Sequence, residues 1–252
     1  MDAPALASRF ASTWPATVLK TLFGLFVFTA TVSAWAAMQH RAAMHTPLPD
    51  AGGRQGACAI WFVGSSSFHR WTTLPGDMRP WIVHNRGVGG AFLPELRQRF
   101  ANEGPVPPPQ AIVFYAGDND IAKGQTAASA EAEFHRFVDA KMAKMPAVPM
   151  LLLSVKPSPK RWSLRSVQAA YDAAMKRTAA QTPSLFFVDA SAGLLTDGKP
   201  GPYFVEDGVH MNPAGYRVWA KAVHHALGSM LPRQVVDECA RRRVSPGPGA
   251  RG

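Results

Sequence analysis

The chain has 252 residues, of which 47% are hydrophobic and 17% charged, so it can bury a full core but is too short for several large domains. Its formal net charge is +10, yet the basic residues are scattered, and the densest run, Arg241 to Arg243, lies near the C-terminus. No basic face alternates with aromatic residues in the sequence, and we therefore expect no nucleic-acid partner.

An uncharged apolar stretch, residues 21–38, lies near the N-terminus between Lys20 and Arg41. It has no polar face, which is typical of a signal or anchor segment rather than of a helix in a globular core. Its length is at the lower bound for a membrane-spanning helix, and small residues around Ala34 also suit cleavage by signal peptidase. We predict that residues 1–38 form a leader with a membrane-targeting helix, either retained or cleaved. The domain that follows is then extracytoplasmic, and periplasmic in a Gram-negative cell.

Residues 39–56 are rich in Pro and Gly and lack apolar periodicity, which predicts a linker. We expect the folded domain over residues 57–231 and a basic, Pro/Gly-rich tail over residues 232–252. The two cysteines, Cys58 and Cys239, lack the spacing of metal ligands. In an oxidising compartment they can form a disulfide, but the sequence also allows two free thiols.

Five short apolar runs alternate with helical patterns in the rest of the chain. They predict strands at residues 57–64, 81–85, 110–117, 148–155 and 184–190. Because they are apolar at successive positions, they are typical of parallel strands covered on both faces. Asn212 and Pro213 predict the start of the last helix, as its N-cap and first helical residue. The alternation predicts an α/β fold with a five-stranded parallel sheet between two layers of helices.

The loops that follow these strands locate a candidate site, because ligands bind at the carboxyl ends of the strands in such a sheet. The loop sequences are GSSS, NRGVGG and GDND after the first three strands, and DGVH downstream of the fifth. A serine nucleophile needs an imidazole to take its proton and a carboxylate to orient that imidazole. Asp207 and His210, three residues apart, can supply both groups. The backbone amide of Gly90 and the side-chain amide of Asn119 are suitable donors to an oxyanion.

Each loop taken alone has an ordinary explanation, since serine triplets and glycine clusters usually mark turns. A metal site built from Asp118, Asp120 and Asp207 is conceivable, but these residues lack a recognisable ligand spacing. The occurrence of all four loops in order, each at the same predicted edge, points instead to acyl transfer.

The four blocks in this order resemble those of the SGNH (GDSL-type) hydrolase family, in its bacterial lipase/acylhydrolase-like branch, from about Cys58 to Leu231. The resemblance implies a flavodoxin-like three-layer α/β/α fold and ester hydrolysis that needs no metal or organic cofactor. In the family's first block, Gly-Asp-Ser-Leu, the nucleophile is the third residue, which corresponds to Ser66. The block's Asp is replaced by Ser65, which can instead cap the helix after the loop.

The remaining family blocks give the other site residues. Gly-x-Asn-Asp matches residues 117–120, and Asp-x-x-His matches Asp207 and His210. The oxyanion glycine corresponds to Gly90, with Gly87 and Gly89 as neighbouring registers. The resemblance thus implies a triad of Ser66, His210 and Asp207, and an oxyanion hole formed by the amides of Ser66 and Gly90 and the side chain of Asn119.

The substrate class stays open between small-molecule, lipid and glycan esters, including O-acylated envelope components. Two alternative functions use the same fold. One is an O-acyltransferase in which a sugar hydroxyl replaces water, and the other is a non-catalytic envelope protein that binds glycan or lipid. The loop KPSPKRW after the fourth strand faces the same edge, and its Arg161 and Trp162 either shape a substrate pocket or pack on the surface. We leave both outside the catalytic set.

Overall fold

The computed structural model describes residues 16–50 and 56–242. The chain divides into two compact units, residues 1–44 and 45–252. The predicted leader before residue 16 lies outside the described residues, as do part of the predicted linker and the last part of the predicted tail.

Helix α1 (Ala16–Met44) covers the predicted targeting segment and is 29 residues long. It exposes large apolar side chains, among them Phe23 and Trp35. Within residues 16–50 and 56–242, no helix combines the length and apolarity that crossing a membrane requires. A helix is therefore present where the sequence predicted one.

A five-stranded sheet forms the centre of the second unit. Its strands are β1 (Ala59–Gly64), β2 (Ile82–Gly87), β3 (Ala111–Tyr115), β4 (Met150–Leu153) and β5 (Leu185–Val188). All neighbouring strands are parallel, in the order β2-β1-β3-β4-β5, which is the flavodoxin-like order. The predicted α/β fold with a five-stranded parallel sheet is confirmed.

Helices cover both faces of this sheet. They are α2 (Ser66–His69), α3 (Leu74–Asp77), α4 (Leu93–Ala101), α5 (Asp118–Ala122), α6 (Ala127–Lys144), α7 (Arg165–Gln181), α8 (Pro213–Met230) and α9 (Arg233–Arg242). A short hairpin, β6 (Leu195–Thr196) and β7 (Lys199–Pro200), precedes α8. Side chains alternate along each strand. In β1, Trp61 and Val63 therefore join the core under α4, α6 and α7, while Ile60 and Phe62 join the core under α2, α3 and α8.

Part of the predicted linker packs against the domain. Leu48 is buried, and its backbone N–H donates to Oε1 of Glu103 at 2.8 Å. Oε2 of the same carboxylate lies 2.7 Å from Nη1 of Arg86, and both of these side chains are fully buried. The guanidinium of Arg86 also lies 3.6 Å from the ring centroid of Trp61. Residues near Leu48 are therefore fixed on the domain surface by a buried ion pair.

The region predicted as a tail begins with helix α9 instead. Its Cys239 is buried and forms a disulfide with Cys58, just before β1. Val235 and Val236 pack against the same core, at a spacing of three to four residues from Cys239. The arginine-rich composition of this region led to the prediction of a tail, but the region contains a short amphipathic helix. The folded domain therefore extends past Leu231 to at least Arg242.

Candidate active site

The predicted nucleophile lies in a tight connection between β1 and α2. A Cβ atom on Gly64, the last residue of β1, would lie only 2.3 Å from the carbonyl oxygen of Tyr115, so this close approach of β1 to β3 requires glycine. The backbone N–H of Ser65 donates to the same carbonyl at 3.2 Å. Ser65 occupies the N-cap position, but its side chain makes no capping hydrogen bond, and Ser66 is the first residue of α2.

Helix α2 is short and is held by side chains from other elements. The amide of Asn85 on β2 donates to the carbonyl of Phe68 at 2.7 Å. The hydroxyl of Tyr216 on α8 donates to the carbonyl of Ser67 at 2.9 Å, and its ring stacks on Trp71 with centroids 5.1 Å apart. These contacts satisfy backbone carbonyls that a one-turn helix leaves free, and they fix the position of Ser66.

His210 and Asp207 meet Ser66 at the carboxyl edge of the sheet. Nε2 of His210 lies 2.9 Å from Oγ of Ser66, although the two residues are 144 apart in the sequence. Nδ1 of His210 lies 2.6 Å from Oδ2 of Asp207. With Nδ1 protonated, the imidazole donates to the carboxylate and can accept the serine proton at Nε2.

The loop that carries Asp207 and His210 is ordered by its own backbone and by the start of α8. Oδ1 of Asp207 accepts the backbone N–H groups of Val209 and His210, at 2.8 and 2.9 Å. Asn212 caps α8 by accepting the N–H groups of Ala214 and Gly215, and Pro213 follows as the first helical residue. The capping arrangement predicted from the sequence is confirmed.

The surroundings of His210 favour its neutral form. Burial lowers the pKa of the imidazole, the carboxylate of Asp207 opposes this, and the positive charges of Arg70 and Lys156 lower the pKa further, so that it lies below its ordinary value. Burial alone would raise the pKa of Asp207, but hydrogen bonds from His210 and Val209 outweigh it and hold the pKa below its usual range. A charged carboxylate beside a neutral imidazole is the arrangement that general-base catalysis needs.

Two of the three predicted oxyanion donors, Gly90 and Asn119, lie just after β2 and β3. Gly90 is exposed in the turn after β2, with a φ of +72° that favours glycine. Gly117 precedes α5 with a φ of +98°, and a Cβ on it would lie 2.5 Å from the ring of Tyr171. The next residue but one, Asn119, donates from Nδ2 to the carbonyl of Ala91 at 3.0 Å. Gly87, the alternative register, instead packs closely against the backbone of His69.

A buried group of charged side chains adjoins Asn119, and sequence reasoning did not assign it. Oδ2 of Asp118 lies 2.6 Å from Nζ of Lys156 and 2.8 Å from Nη1 of Arg161. Gln168 and the hydroxyl of Tyr115 also donate to this carboxylate. Burial would raise the pKa of Asp118, but the two cations outweigh it and lower the pKa, which keeps the carboxylate ionised. The sequence signal was the KPSPKRW loop directly after β4.

The three carboxylates considered for a metal site have separate partners. Asp118 binds the cations just described, and Asp207 binds His210. Asp120 accepts the backbone N–H of Leu93, and its burial raises its pKa to about 6. Within the described residues, no three or more His, Cys, Asp or Glu side chains are placed so that they could hold a metal ion together. The edge brings together a hydroxyl, an imidazole and nearby amide groups, which are the groups that acyl transfer uses.

Comparison with known proteins gives a consistent family. The model of the GDSL-like lipase/acylhydrolase family matches residues 51–218. No curated protein matches the chain by sequence.

Similar folds occur among solved structures. A platelet activating factor candidate from Streptococcus pneumonia has a TM-score of 0.67 at 17% identity, over 80% of this chain and 98% of that chain. A GDSL-like lipase from Bacteroides thetaiotaomicron has a TM-score of 0.60 at 20% identity, over 72% and 95% of the two chains. A family 3 carbohydrate esterase from Clostridium thermocellum has a TM-score of 0.53 at 16% identity, over 69% and 99%. At these identities the similarity establishes a shared fold.

Proposed function

The chain belongs to the GDSL-like lipase/acylhydrolase family and is an ester hydrolase, and we propose that Ser66 is its nucleophile, His210 its general base and Asp207 the carboxylate that orients His210. The observation that carries this assignment is the pair of short distances at His210. Its Nε2 lies 2.9 Å from Oγ of Ser66, and its Nδ1 lies 2.6 Å from Oδ2 of Asp207.

The reaction proceeds through an acyl-enzyme. Oγ of Ser66 attacks the ester carbonyl carbon while its proton passes to Nε2 of His210. The tetrahedral intermediate collapses, the C–O bond to the alcohol breaks, and the alcohol leaves with the proton from Nε2. Water then attacks the acyl-serine and gives a proton to Nε2. The acid is released, and the proton returns to Ser66.

The negative oxygen of the intermediates requires preorganised donors. The proposal assigns this role to the backbone N–H groups of Ser66 and Gly90 and to the side-chain amide of Asn119. Asn119 is the second residue of α5, which follows β3, the strand next to β1 in the sheet. This position supports its role as an oxyanion donor. The charge of His210 when protonated is balanced by Asp207, which is ionised at any pH where the base is neutral.

Esters of carbohydrates are the first substrate class to test. The fold similarity to a carbohydrate esterase supports this choice, as does the open, half-buried position of Ser66 at the sheet edge. Short acyl esters of simple alcohols and longer-chain lipid esters form the other arms of the comparison. The class with the highest kcat/KM is the substrate class that the site accepts.

The proposal also locates the domain outside the cytoplasm. The Cys58–Cys239 disulfide supports this, because such bonds persist in oxidising compartments and are rare in the cytosol. The exposed apolar side chains of α1 support attachment of that helix to a membrane surface. Alkylation of thiols in rapidly quenched cells tests the compartment. Recovery of Cys58 and Cys239 as alkylated thiols would contradict an extracytoplasmic location.

The decisive experiment measures hydrolysis of p-nitrophenyl acetate, acetylated sugars and longer-chain esters by the full chain. Ser66→Ala and His210→Ala are each expected to lower kcat by about 10³-fold or more, because each removes a reacting group. Ser65→Ala is the matched control, since it changes the neighbouring serine in the same turn, and it is expected to keep activity within about threefold of wild type.

Labelling by a fluorophosphonate provides a second readout that does not depend on the substrate. Intact-mass analysis is expected to show one adduct in the wild type and in Ser65→Ala, and none in Ser66→Ala. Turnover that survives in the Ser66→Ala protein would falsify the assignment of the nucleophile.

A further inference from the structure

The side-chain amide of Asn119 is held on both sides. Its Nδ2 donates one hydrogen to the carbonyl of Ala91 at 3.0 Å. Its Oδ1 accepts a hydrogen bond from Nη2 of Arg161, also at 3.0 Å. Arg161 has only donors, so this contact requires the oxygen of the amide, and it excludes the flipped orientation. The second hydrogen of Nδ2 is then the one that can reach an oxyanion.

Arg161 is itself fixed by a second contact on the same guanidinium. Nη1 lies 2.8 Å from Oδ2 of Asp118, and only 18% of the arginine side chain is exposed. The planar group thus connects two successive residues of α5, using one nitrogen for each. Arg161 belongs to the 3₁₀ segment Pro159–Leu164 that follows β4, so the loop after β4 is what orients the amide after β3.

Charge balance shows that Asp118 does not need Arg161 as its counter-ion. Lys156 already lies 2.6 Å from the same carboxylate oxygen, with 1% of its side chain exposed. Two basic side chains therefore face one carboxylate next to Asn119.

We propose that Arg161 is a positioning residue that holds the amide of Asn119 with its free N–H toward the oxyanion. The proposal rests on the function proposed above. A cation bound to Oδ1 also polarises the amide and strengthens its N–H as a donor. Both effects operate when negative charge develops on the substrate, so they raise kcat more than they lower KM.

A double-mutant cycle tests the proposal on the full chain. Arg161→Gln is expected to lower kcat by about 10-fold or more and to change KM by less than about threefold, since loss of an oxyanion donor costs about 10²- to 10³-fold. Because Arg161 acts through Asn119, the Arg161→Gln/Asn119→Ala protein is expected to have a kcat within about threefold of Asn119→Ala alone. Effects that multiply would show that Arg161 acts independently, and would overturn the proposal.

Arg165→Gln is the matched control. Arg165 begins α7, is also partly buried, and forms an ion pair with Asp172 at 3.3 Å, away from Asn119. Its loss is expected to leave kcat within about threefold of wild type while lowering thermal stability by an amount similar to that of Arg161→Gln. Equal losses of kcat in the two variants would assign Arg161 a general structural role and would overturn the proposal.

Arg161→Lys keeps the positive charge and covers the case in which Arg161→Gln does not fold. One ammonium cannot reproduce the two-nitrogen contact with Asp118 and Asn119, so its kcat is also expected to fall, with KM little changed. A wild-type kcat in Arg161→Lys would overturn the proposal. Ser66→Ala is measured in parallel: if it is inactive while the cycle fails, only this inference is lost, and if it is active, the proposed function and this inference both fail.

Discussion

Arg86 and Glu103 form a one-to-one ion pair with both side chains fully buried, whereas the carboxylate of Asp118 faces two cations, Lys156 and Arg161. The first pair is neutral as a unit. In the second group, two basic side chains share one carboxylate. Both are buried ion pairs, but their charge balance differs.

The two groups also differ in the residues that they contact. Around the neutral pair lie the backbone of Leu48 and the ring of Trp61, which are structural partners. The group around Asp118 instead contacts Asn119 at the candidate site, through Arg161. Burial of charge therefore stabilises the attachment of a chain segment in one place and supports a reacting edge in the other. The charge balance and the neighbours, rather than burial itself, distinguish the two.

The largest expected loss of stability comes from breaking the neutral pair of Arg86 and Glu103. Glu103→Ala leaves the guanidinium of Arg86 buried without a counter-ion, and is expected to lower the free energy of unfolding by about 3–5 kcal/mol. Urea denaturation measures this loss. The kcat of the folded protein should stay within about twofold of wild type. Glu238→Ala breaks an exposed pair with Arg242 and is expected to cost only about 0.5 kcal/mol. A large fall in kcat for Glu103→Ala would place this pair in the reacting machinery.

The disulfide is expected to behave like the neutral pair, with a somewhat smaller effect. Cys58→Ser/Cys239→Ser removes a link across 181 residues and is expected to lower the free energy of unfolding by about 2–4 kcal/mol. Cys58 precedes β1, at the sheet edge opposite Ser66, so esterase activity at 25 °C should be retained. Denaturant curves and initial rates are measured on the same samples. Loss of activity without loss of stability would contradict the separation between the two edges.

Removal of Arg70 is expected to change the pH dependence. Asp207, Arg70 and Lys156 are the charged groups that shift the pKa of His210, and Arg70 lowers it. In Arg70→Gln the pKa of His210 therefore rises toward its ordinary value. Because the base must be neutral, the acid limb of the kcat/KM profile moves to higher pH. Arg70 is 55% exposed, so the difference between variant and wild type should shrink as salt is raised.

The smallest shift in the pH profile is expected when Lys156 is replaced. Its response to salt should differ from that of the Arg70 variant. Lys156→Met also removes a positive charge that lowers the pKa of His210, so the acid limb again moves to higher pH, but by less than in Arg70→Gln. Lys156 is buried, so this shift should persist in high salt. Asp118 keeps Arg161 as its counter-ion, which allows the protein to fold. A shift that disappears with added salt, as for Arg70, would show that the group is not shielded from solvent.

Most strands and helices of the fold could be predicted, because local sequence patterns identify them. Continuous apolar runs such as Ala111–Tyr115 identify buried parallel strands, and Asn212 followed by Pro213 identifies a helix start. The segment around Leu48 and helix α9 could not be assigned in this way. Their positions depend on single long-range partners, Glu103 and Cys58, that no local pattern reveals.

The residues of the candidate site also differ in whether the sequence could predict them. The resemblance to the hydrolase family singled out Ser66 among three serines. That its loop meets the loop of His210 could be predicted because loops after parallel strands share one edge, and the structure brings the two side chains together. Lys156 could not be predicted as buried, because its burial depends on the carboxylate of Asp118, which another loop supplies. The contact of Arg161 with Asn119 likewise depends on how the loops after β3 and β4 fit together, which sequence spacing does not encode.

The α-carbons of Cys58 and Cys239 lie 5.6 Å apart, so the start of β1 and the end of α9 are neighbours on the edge away from Ser66. Proteins with adjoining termini tolerate circular permutation. A short peptide can therefore join these two ends, and new termini can open at the exposed turn of Asp197 and Gly198 between β6 and β7. In such a permuted enzyme, the order of the blocks along the chain would change while their meeting point stays the same.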